Sequence, residues 1–399
     1  MANWSELQSD VLVHISRHLN LIEDYLNFAS VCKPWRHVAT KSNFNSDLPR
    51  VPWLMLPEGD DNKSCCREFF SLCNGMILKK RIPKARGKRC LESLGWFITV
   101  GKDEGEITLL HPFSGVQIEL PHQNTTEDYA RYKTRYIWNF IHKAVLSADP
   151  SKTSDYVLMV IEGEKMHLSF WKPGHLRWTR VRIENFLGHR RHRHRDVVYF
   201  SGKFYAVDWQ GQVLVCDVTG ADPTKAQRVA QLPNSMDIYH MGEEYYILES
   251  LGSLFVVVRH GGLCFSGIPL TPVPYAHGVH NEQEVPEFNG HLNFQTNDFR
   301  VYKVDLAAGK LTETRQLGDR ALFLGANASL SVQASQFPGI KPNHIYFTDD
   351  CYEAYSDYEE GGGLDMGVFN LSNGTFDHHY KGLFLNRFTP PIWVTPTPC

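Results

Sequence analysis

Two hydrophobic periods divide this chain. Between residues 5 and 42 apolar side chains recur every three or four positions, and Leu7, Val11, Leu12, Ile15 and Leu19 fall along one stripe of a helix. Ser9 is the expected N-cap of that helix, and Asn20, with Glu23 three residues later, opens a second one holding Tyr25, Phe28 and Ala29. Pro34 fits only a first helical turn, so a third helix is expected to start near it and run through Trp35, Val38 and Ala39. Beyond residue 48 the period falls to two.

From there on, short β-branched and aromatic runs alternate with Gly, Asn, Asp and Pro turns, and the runs recur as a unit. "GWFITVGKDEGEITLLHPFSGVQIELP" reads strand, turn, strand, turn, strand. The same order returns in "YVLMVIEGEKMHLSFWKPGHLRWTRVRI" and in the segment from "DVVYFSGKFYAVDW" to "RVAQLP". It comes back around "FRVYKVDLAAGKLTETRQL", and again in "HIYFTDD" followed by "MGVFNLSNGTFDHHY". Closing strands fall roughly 50 to 85 residues apart, near the length of a four-stranded propeller blade with long loops. The chain is therefore expected to be mainly β, with a C-terminal β-propeller of about six blades behind a small three-helix head. An irregular pair of β-sandwiches is the competing arrangement. The recurring Asp- or Gly-bearing turn before a short last strand favours the propeller. The segment "LPRVPWLMLPEGDDNKS" is Pro-rich and then polar, which divides the chain into a head at 1–48, a joint at 49–65 and a β domain at 66–399.

Composition narrows the function. The chain has 399 residues, 42% of them hydrophobic, enough for a substantial core. A net charge of −3 carries no basic excess for nucleic acid or an anionic membrane. "MANWSELQSD" lacks the basic and apolar regions of a signal peptide, and no run of about 18 uncharged apolar residues could cross a bilayer. Nine scattered cysteines in a chain of this size fit a reducing compartment, cytoplasm or nucleus. No C-x-x-C pair occurs, and the adjacent Cys65 and Cys66 are badly spaced for zinc.

The familiar catalytic and nucleotide-binding signatures are missing. Asp349 and Asp350 read as solvated loop carboxylates, and Gly361 to Gly363 as a loop with no phosphate-cradling turn. In "HRRHRHR", His192 and His194 would share one strand face, but a metal needs further ligands, and no aromatics interleave the cations as single-strand readers require. That run reads as a solvated loop between blades. Cys32 and His37 lie about 140° apart around a helix, too far for a thiol–imidazole pair. Cys32 reads as a small buried hydrophobe. No cofactor and no metal are expected. A hydrolase would need two facing carboxylates in the propeller channel.

The head has more apolar surface than it can hide. Three helices in under about 45 residues cannot make a self-sufficient core. Phe28, Val31, Cys32 and Trp35 exceed it, which argues for a partner that accepts helices in a groove. The run "LQSDVLVHISRHLNLIEDYLNFASVCKPWRHVA" resembles an F-box: Leu7, Asp10, Val11, Leu12, Ile15, Leu19, Phe28, Val31, Cys32, Lys33, Trp35 and Arg36 fall on the family's pattern. The chain departs from it at Gln8, where proline is usual, and at Pro34. The remainder resembles the plant KIB-type F-box proteins in "GDRALFLGANASLSVQASQFPGIKPNHIYFTDD", in "GVFNLSNGTF" and in "GWFITV" with "ITLLHPFSG".

The resemblance implies a substrate receptor of a cullin–RING ubiquitin ligase, not an enzyme. Its head would dock a Skp-type adaptor, and through it cullin and RING proteins, by way of Leu7, Asp10, Val11, Leu12, Ile15, Leu19, Tyr25, Phe28, Val31, Cys32, Trp35 and Arg36. The propeller would hold an unknown protein substrate. Loops on a rigid scaffold are where recognition resides, and Arg and Tyr are favoured anchors. Arg190, Arg191 and Arg193 on the basic loop, with Tyr352, Tyr355 and Tyr358 on the acidic one, are the expected contacts, on one face of the propeller. A scaffold protein with a degenerate F-box and a propeller hydrolase are the alternatives.

Overall fold

The computed structural model describes residues 4–19, 22–40, 43, 50–59, 65–102, 104–127, 129, 139–183, 193–233, 242–266, 291–352, 362–380, 382 and 386–397. Three helices form the head: α1 (Ser9–Arg17), α2 (Ile22–Ser30) and α3 (Lys33–Val38). Ser9 is not the cap expected of it but the first helical residue. Gln8 holds the cap position in extended conformation without a side-chain bond, because its own carbonyl already accepts the first helical N–H, from Leu12 at 3.1 Å. Asn20, the expected cap of α2, lies outside the described residues. Pro34 sits in the first turn of α3, where its missing N–H costs nothing.

The head's core consists of Leu12, Phe28 and Val38, with Leu7, Ile15, Leu19 and Trp35 packed against it. Ile22 and Tyr25 turn the other way and join the buried cluster of the β region that holds Trp53, Met55 and Phe69. The Tyr25 hydroxyl donates to the Thr40 carbonyl at 2.7 Å, which satisfies its polar tip inside that contact.

The rest of the described chain is mainly β and propeller-like. Its first sheet joins the two ends of the β region. Ile392–Val394 pairs antiparallel with Trp53–Met55, placing Leu54 opposite Trp393, and Cys66–Phe70 and Ile77–Arg81 follow outward. Within the stretch read as a joint, Trp53, Leu54 and Met55 form a fully buried strand. An apolar run this short, flanked by Pro52 and Pro57, shows no period of its own. Its partners make it a strand, Cys66–Phe70 on one side and Ile392–Val394 from the far end of the chain on the other.

The second sheet is a meander of Arg89–Ser93, Trp96–Val100, Ile107–Leu110 and Gln117–Glu119. The third repeats it with Ile141–Leu146, Leu158–Glu162, His167–Trp171 and Thr179–Arg180. A nine-stranded sheet then holds two further meanders, one from His194–Phe200 to Lys225–Gln231 and one from Glu243–Ser250 to Lys310–Thr314. Their last strands meet in parallel at Gln231 and Lys310, and Arg182–Ile183 adds to the first of them. The last sheet orders five strands as Leu330–Gln333, Arg320–Leu324, His344–Phe347, Gly367–Asn370 and Thr375–Asp377. The strands that open the meanders, together with Ile392–Val394 and Leu330–Gln333, neighbour one another in turn around an axis.

Tight turns close the hairpins on the far side of that axis. Leu251 and Gly252 both have positive φ, 51° and 72°, and Leu251 is 77% exposed. A turn of this kind favours Asn-Gly, whereas a branched side chain in the left-handed region costs roughly 1–2 kcal/mol. Leu251→Asn is therefore expected to raise stability by about 0.5–1 kcal/mol, read as a higher urea midpoint with an unchanged slope. A lower midpoint rejects this account of the turn.

Candidate functional site

The opening ends of the inner strands converge on a cavity of about 370 Å³ at the other end of the axis. Arg89 enters from Arg89–Ser93, His142 and Lys143 from Ile141–Leu146, and His194 and Arg195 from the start of His194–Phe200, with Arg193 immediately before it. Glu244 comes from Glu243–Ser250, and the turns supply Glu164, Met166, Gly325, Ala326, Asp350 and Tyr352. The strand pattern explains the placement. Arg89, Lys143, Arg195 and Glu244 each lie within the first three residues of their strands, ahead of apolar residues such as Leu91, Val145, Val198 and Ile247.

These charges are held, not loose. Lys143 is 4% exposed, its Nζ lying 3.1 Å from Asp196 Oδ1 and donating to the Gly325 carbonyl at 2.7 Å. Asp196 accepts further bonds from the Val197 and Ile247 N–H groups and from the Ser329 hydroxyl. Burial pushes the Asp196 carboxyl up, and the Lys143 ammonium works against that shift. Arg195 Nη1 lies 3.3 Å from Glu244 Oε1. His142 is driven down to about 3, first by burial and then by the nearby Arg89 guanidinium, with Arg195 and Arg193 adding to it.

Behind one wall of the cavity lies a second charged group. Arg259 is fully buried, with Nη1 2.8 Å from Asp350 Oδ1 and Nη2 2.6 Å from Asp365 Oδ2. Asp349 is 2% exposed, and its Oδ2 accepts the N–H groups of Gly363, Leu364 and Asp365. Asp349 and Asp350 are thus not solvated loop carboxylates. A buried guanidinium requires counter-anions, and they supply part of its surroundings.

Burial, with the Asp365 carboxylate beside it, raises Asp349 to about 7. The unfolded chain releases that proton near pH ~3.9. Stability from this group is therefore fully present below about pH 4 and is lost as pH rises toward 7. Asp349→Asn is expected to flatten the dependence of unfolding free energy on pH between about 4 and 7. An unchanged slope in urea melts across that range rejects the assignment.

Of the expected substrate contacts, Arg193 and Tyr352 line this one cavity, brought together from distant parts of the chain. Arg190, Arg191, Tyr355 and Tyr358 lie outside the described residues. His194 is not part of a solvated loop. It opens the strand His194–Phe200, pairs with Asp208 and is 3% exposed, because the strand's alternation extends back through a bulge at Arg195. Among the described residues, no group of three or more His, Cys, Asp or Glu side chains could hold a metal ion.

On the head, Asp10, Val11, Val31 and Arg36 are exposed, while Leu7, Ile15, Leu19, Cys32 and Trp35 are half-buried. Leu12, Tyr25 and Phe28 are buried. They shape the head from inside, and Tyr25 faces the β region, so these three do not form its free surface. Trp35 lies against Phe28 with ring centres 4.6 Å apart and donates its indole N–H to the Trp4 carbonyl at 3.0 Å.

Residues 69–370 match the family model described as KIB1-4 beta-propeller. The chain belongs to that family. Residues 4–47 match the F-box domain model. The F-box protein SKIP23 of Arabidopsis thaliana is 24% identical, over 99% of this chain and 96% of its own length. Two further A. thaliana proteins, described as a putative and a probable F-box protein, are 24% and 22% identical over 99% and 94% of this chain and 98% and 94% of theirs. Among solved structures, Hsv2 of Kluyveromyces lactis covers 54% of this chain and 66% of its own, at 10% identity and a TM-score of 0.31.

In this KIB1-4 propeller, Arg89, His142, Lys143, Asp196, Glu244 and Arg259 were not found by sequence reasoning. The available signal was a charge inside an otherwise apolar strand, as in "IHKAVL", "RDVVYF" and "FVVVRH". A buried charge needs a partner, so such an interruption marks either a paired structural ion or a site.

Proposed function

We propose that this protein is the substrate-recognition subunit of an SCF-type cullin–RING ubiquitin ligase. Its head docks a Skp-type adaptor, which bridges to cullin and RING proteins, and its propeller holds a target protein for ubiquitination and degradation. The observation that carries this reading is an F-box at residues 4–47 directly ahead of a KIB1-4 beta-propeller at 69–370. The mechanism is positional. Tethering raises the effective concentration of the target at the loaded conjugating enzyme, so no side chain of this chain reacts.

In this reading Val11, Val31, Asp10 and Arg36 touch the adaptor, flanked by Leu7, Ile15, Leu19, Cys32 and Trp35, while Leu12, Tyr25 and Phe28 hold the surface in shape. The target lies over the cavity face, against Arg193 and Tyr352 together with Arg190, Arg191, Tyr355 and Tyr358. The nine-stranded sheet is two blades fused at their outer edges, which makes six blades in all. The protein works in cytoplasm or nucleus. Affinity capture with the full chain while the proteasome is blocked is the test. Co-capture of adaptor with one enriched, ubiquitinated protein is the expected result, and a chain that captures no adaptor overturns the reading.

A further inference from the structure

The outermost strand of the first sheet, Ile77–Arg81, is paired on one side only. Bonds at its two ends set the alternation: the Ser71 N–H donates to the Met76 carbonyl at 2.9 Å, and the Ile82 N–H to the Cys65 carbonyl at 2.7 Å. Met76, Leu78, Lys80 and Ile82 thus direct their backbone groups toward the neighbouring strand, and Ile77, Lys79 and Arg81 direct theirs away from the sheet. Among the described residues no strand pairs with that side, and Ile77, Lys79 and Arg81 are exposed. The other outer edges are less open. Gln117–Glu119, Thr179–Arg180 and Thr375–Asp377 have only two or three residues, and Lys225–Gln231 meets Lys310–Thr314 in parallel.

The charge along this edge has one sign. From Lys79 to Arg89, "KKRIPKARGKR" holds seven cations and no carboxylate. Lys79 is engaged by Glu68 at 2.6 Å and Lys88 by Glu106 at 2.9 Å. Lys80, Arg81 and Lys84 have no carboxylate partner among the described residues: Lys80 lies over the Phe113 ring, and Lys84 donates to the Gly115 carbonyl at 3.1 Å. These charges select the occupant. A second copy of this edge, paired antiparallel about its centre, sets Lys79 against Lys79, and like charges directly opposite are destabilising. A polyanion meets the carboxylates of Glu68 and Glu106 among the cations. An extended acidic peptide satisfies the free backbone groups and the unpaired cations together.

We propose that the free edge of Ile77–Arg81 accepts an antiparallel strand from a partner protein, of the pattern acidic-acidic-x-x-apolar. In that register the first acidic side chain stands opposite Arg81, the second opposite Lys80 and the apolar one opposite Ile77. Backbone bonds to Ile77, Lys79 and Arg81 supply affinity, and the facing side chains supply selection. The inference goes beyond the receptor reading, because strand addition at this rim involves neither the head nor the cavity face.

The test is an anisotropy titration of a fluorescein-labelled Ser-Glu-Glu-Thr-Thr-Val-Ser peptide with the full chain at fixed ionic strength. One counterpart carries lysine for both glutamates. Another is N-methylated at its first threonine and its valine, which keeps the charge and removes two amides that face the edge. A short oligothymidylate is the polyanion control. Saturable binding of the acidic peptide below about 1 mM is expected, with binding at least about 10-fold weaker for every counterpart and for the oligothymidylate. Arg81→Glu should weaken the acidic peptide by about 10-fold or more. Lys79→Pro should do the same, since it removes an N–H that points away from the sheet and leaves the existing ladder intact. Lys203→Gln, at an exposed lysine paired with Asp217 on another sheet, should leave binding unchanged. Where Lys79→Pro fails to fold, Arg81→Glu and the N-methylated peptide decide. No saturable binding, equal binding of the N-methylated peptide or of the oligothymidylate, or no loss at Arg81 overturns the proposal. Adaptor capture, read in parallel on the same variants, should be unchanged, so a failure of the edge is distinguishable from a failure of the receptor reading.

Discussion

Replacing Arg259 by methionine is expected to destabilise the protein by about 3–5 kcal/mol, the cost of leaving buried charges without their counter-ion. The guanidinium donates from Nε to Thr296 Oγ1 at 2.6 Å, and from Nη1 to the Tyr246 hydroxyl, the Thr348 carbonyl and Asp350. Nη2 donates to the carbonyl and the carboxylate of Asp365. One side chain thus ties Glu243–Ser250, Ser253–Ser266 and His291–Asp305 to the segment that follows His344–Phe347. Methionine keeps the length but none of these bonds, and it strands Asp350 and Asp365 beside an Asp349 already raised to about 7. Arg259→Lys keeps the charge without the fork, so an intermediate loss is expected. Arg259→Met/Asp365→Asn should recover part of the loss, since it removes one stranded carboxylate. Urea unfolding of the three variants measures this, and a loss below about 1 kcal/mol for Arg259→Met would falsify the account.

The second large effect is expected on the head. Val11→Asp combined with Val31→Asp should abolish capture of a Skp-type adaptor while leaving the fold intact. Val11 and Val31 are 41% and 57% exposed, so a carboxylate there disturbs no internal packing. Apolar anchors at such interfaces commonly contribute about 2 kcal/mol each, or roughly 30-fold in affinity. Together the two changes bring the affinity about 1000-fold down, below detection by pull-down. Trp35→Ala is the less discriminating variant. It loses the Phe28 contact and the bond to the Trp4 carbonyl, so lost binding would be mixed with a loosened head. Anisotropy titration with recombinant adaptor, alongside circular dichroism, separates the two. Undiminished affinity in the double aspartate variant rejects the assigned surface.

Local pattern was enough to recover much of this molecule. The three- and four-residue spacing of Leu7, Val11, Leu12, Ile15 and Leu19, and the proline at 34, determine where the head's helices run. The alternation and turns in 95–121 and 156–183 determine the hairpins found there. Both are short-range effects, in which side-chain direction and backbone conformation depend on neighbours only a few residues away.

Tertiary structure decided everything that requires two distant segments to meet. Trp53–Met55 becomes a strand because Cys66–Phe70 and Ile392–Val394 lie on either side of it, and the two meanders of the nine-stranded sheet are joined through a single parallel pair, Gln231 with Lys310. The site follows the same rule. Arg193 and Tyr352 were each legible as exposed anchors, but their shared cavity with Arg89 and Lys143 depends on how the inner strands are arranged around the axis. The buried ions depended on it most. Lys143 and Arg259 look like interruptions of apolar runs until Asp196 arrives from another strand, and Asp350 and Asp365 from the connection between His344–Phe347 and Gly367–Asn370, to neutralise them. A residue's period reports which side of its own strand is buried. It carries no information about which charge waits on the next one.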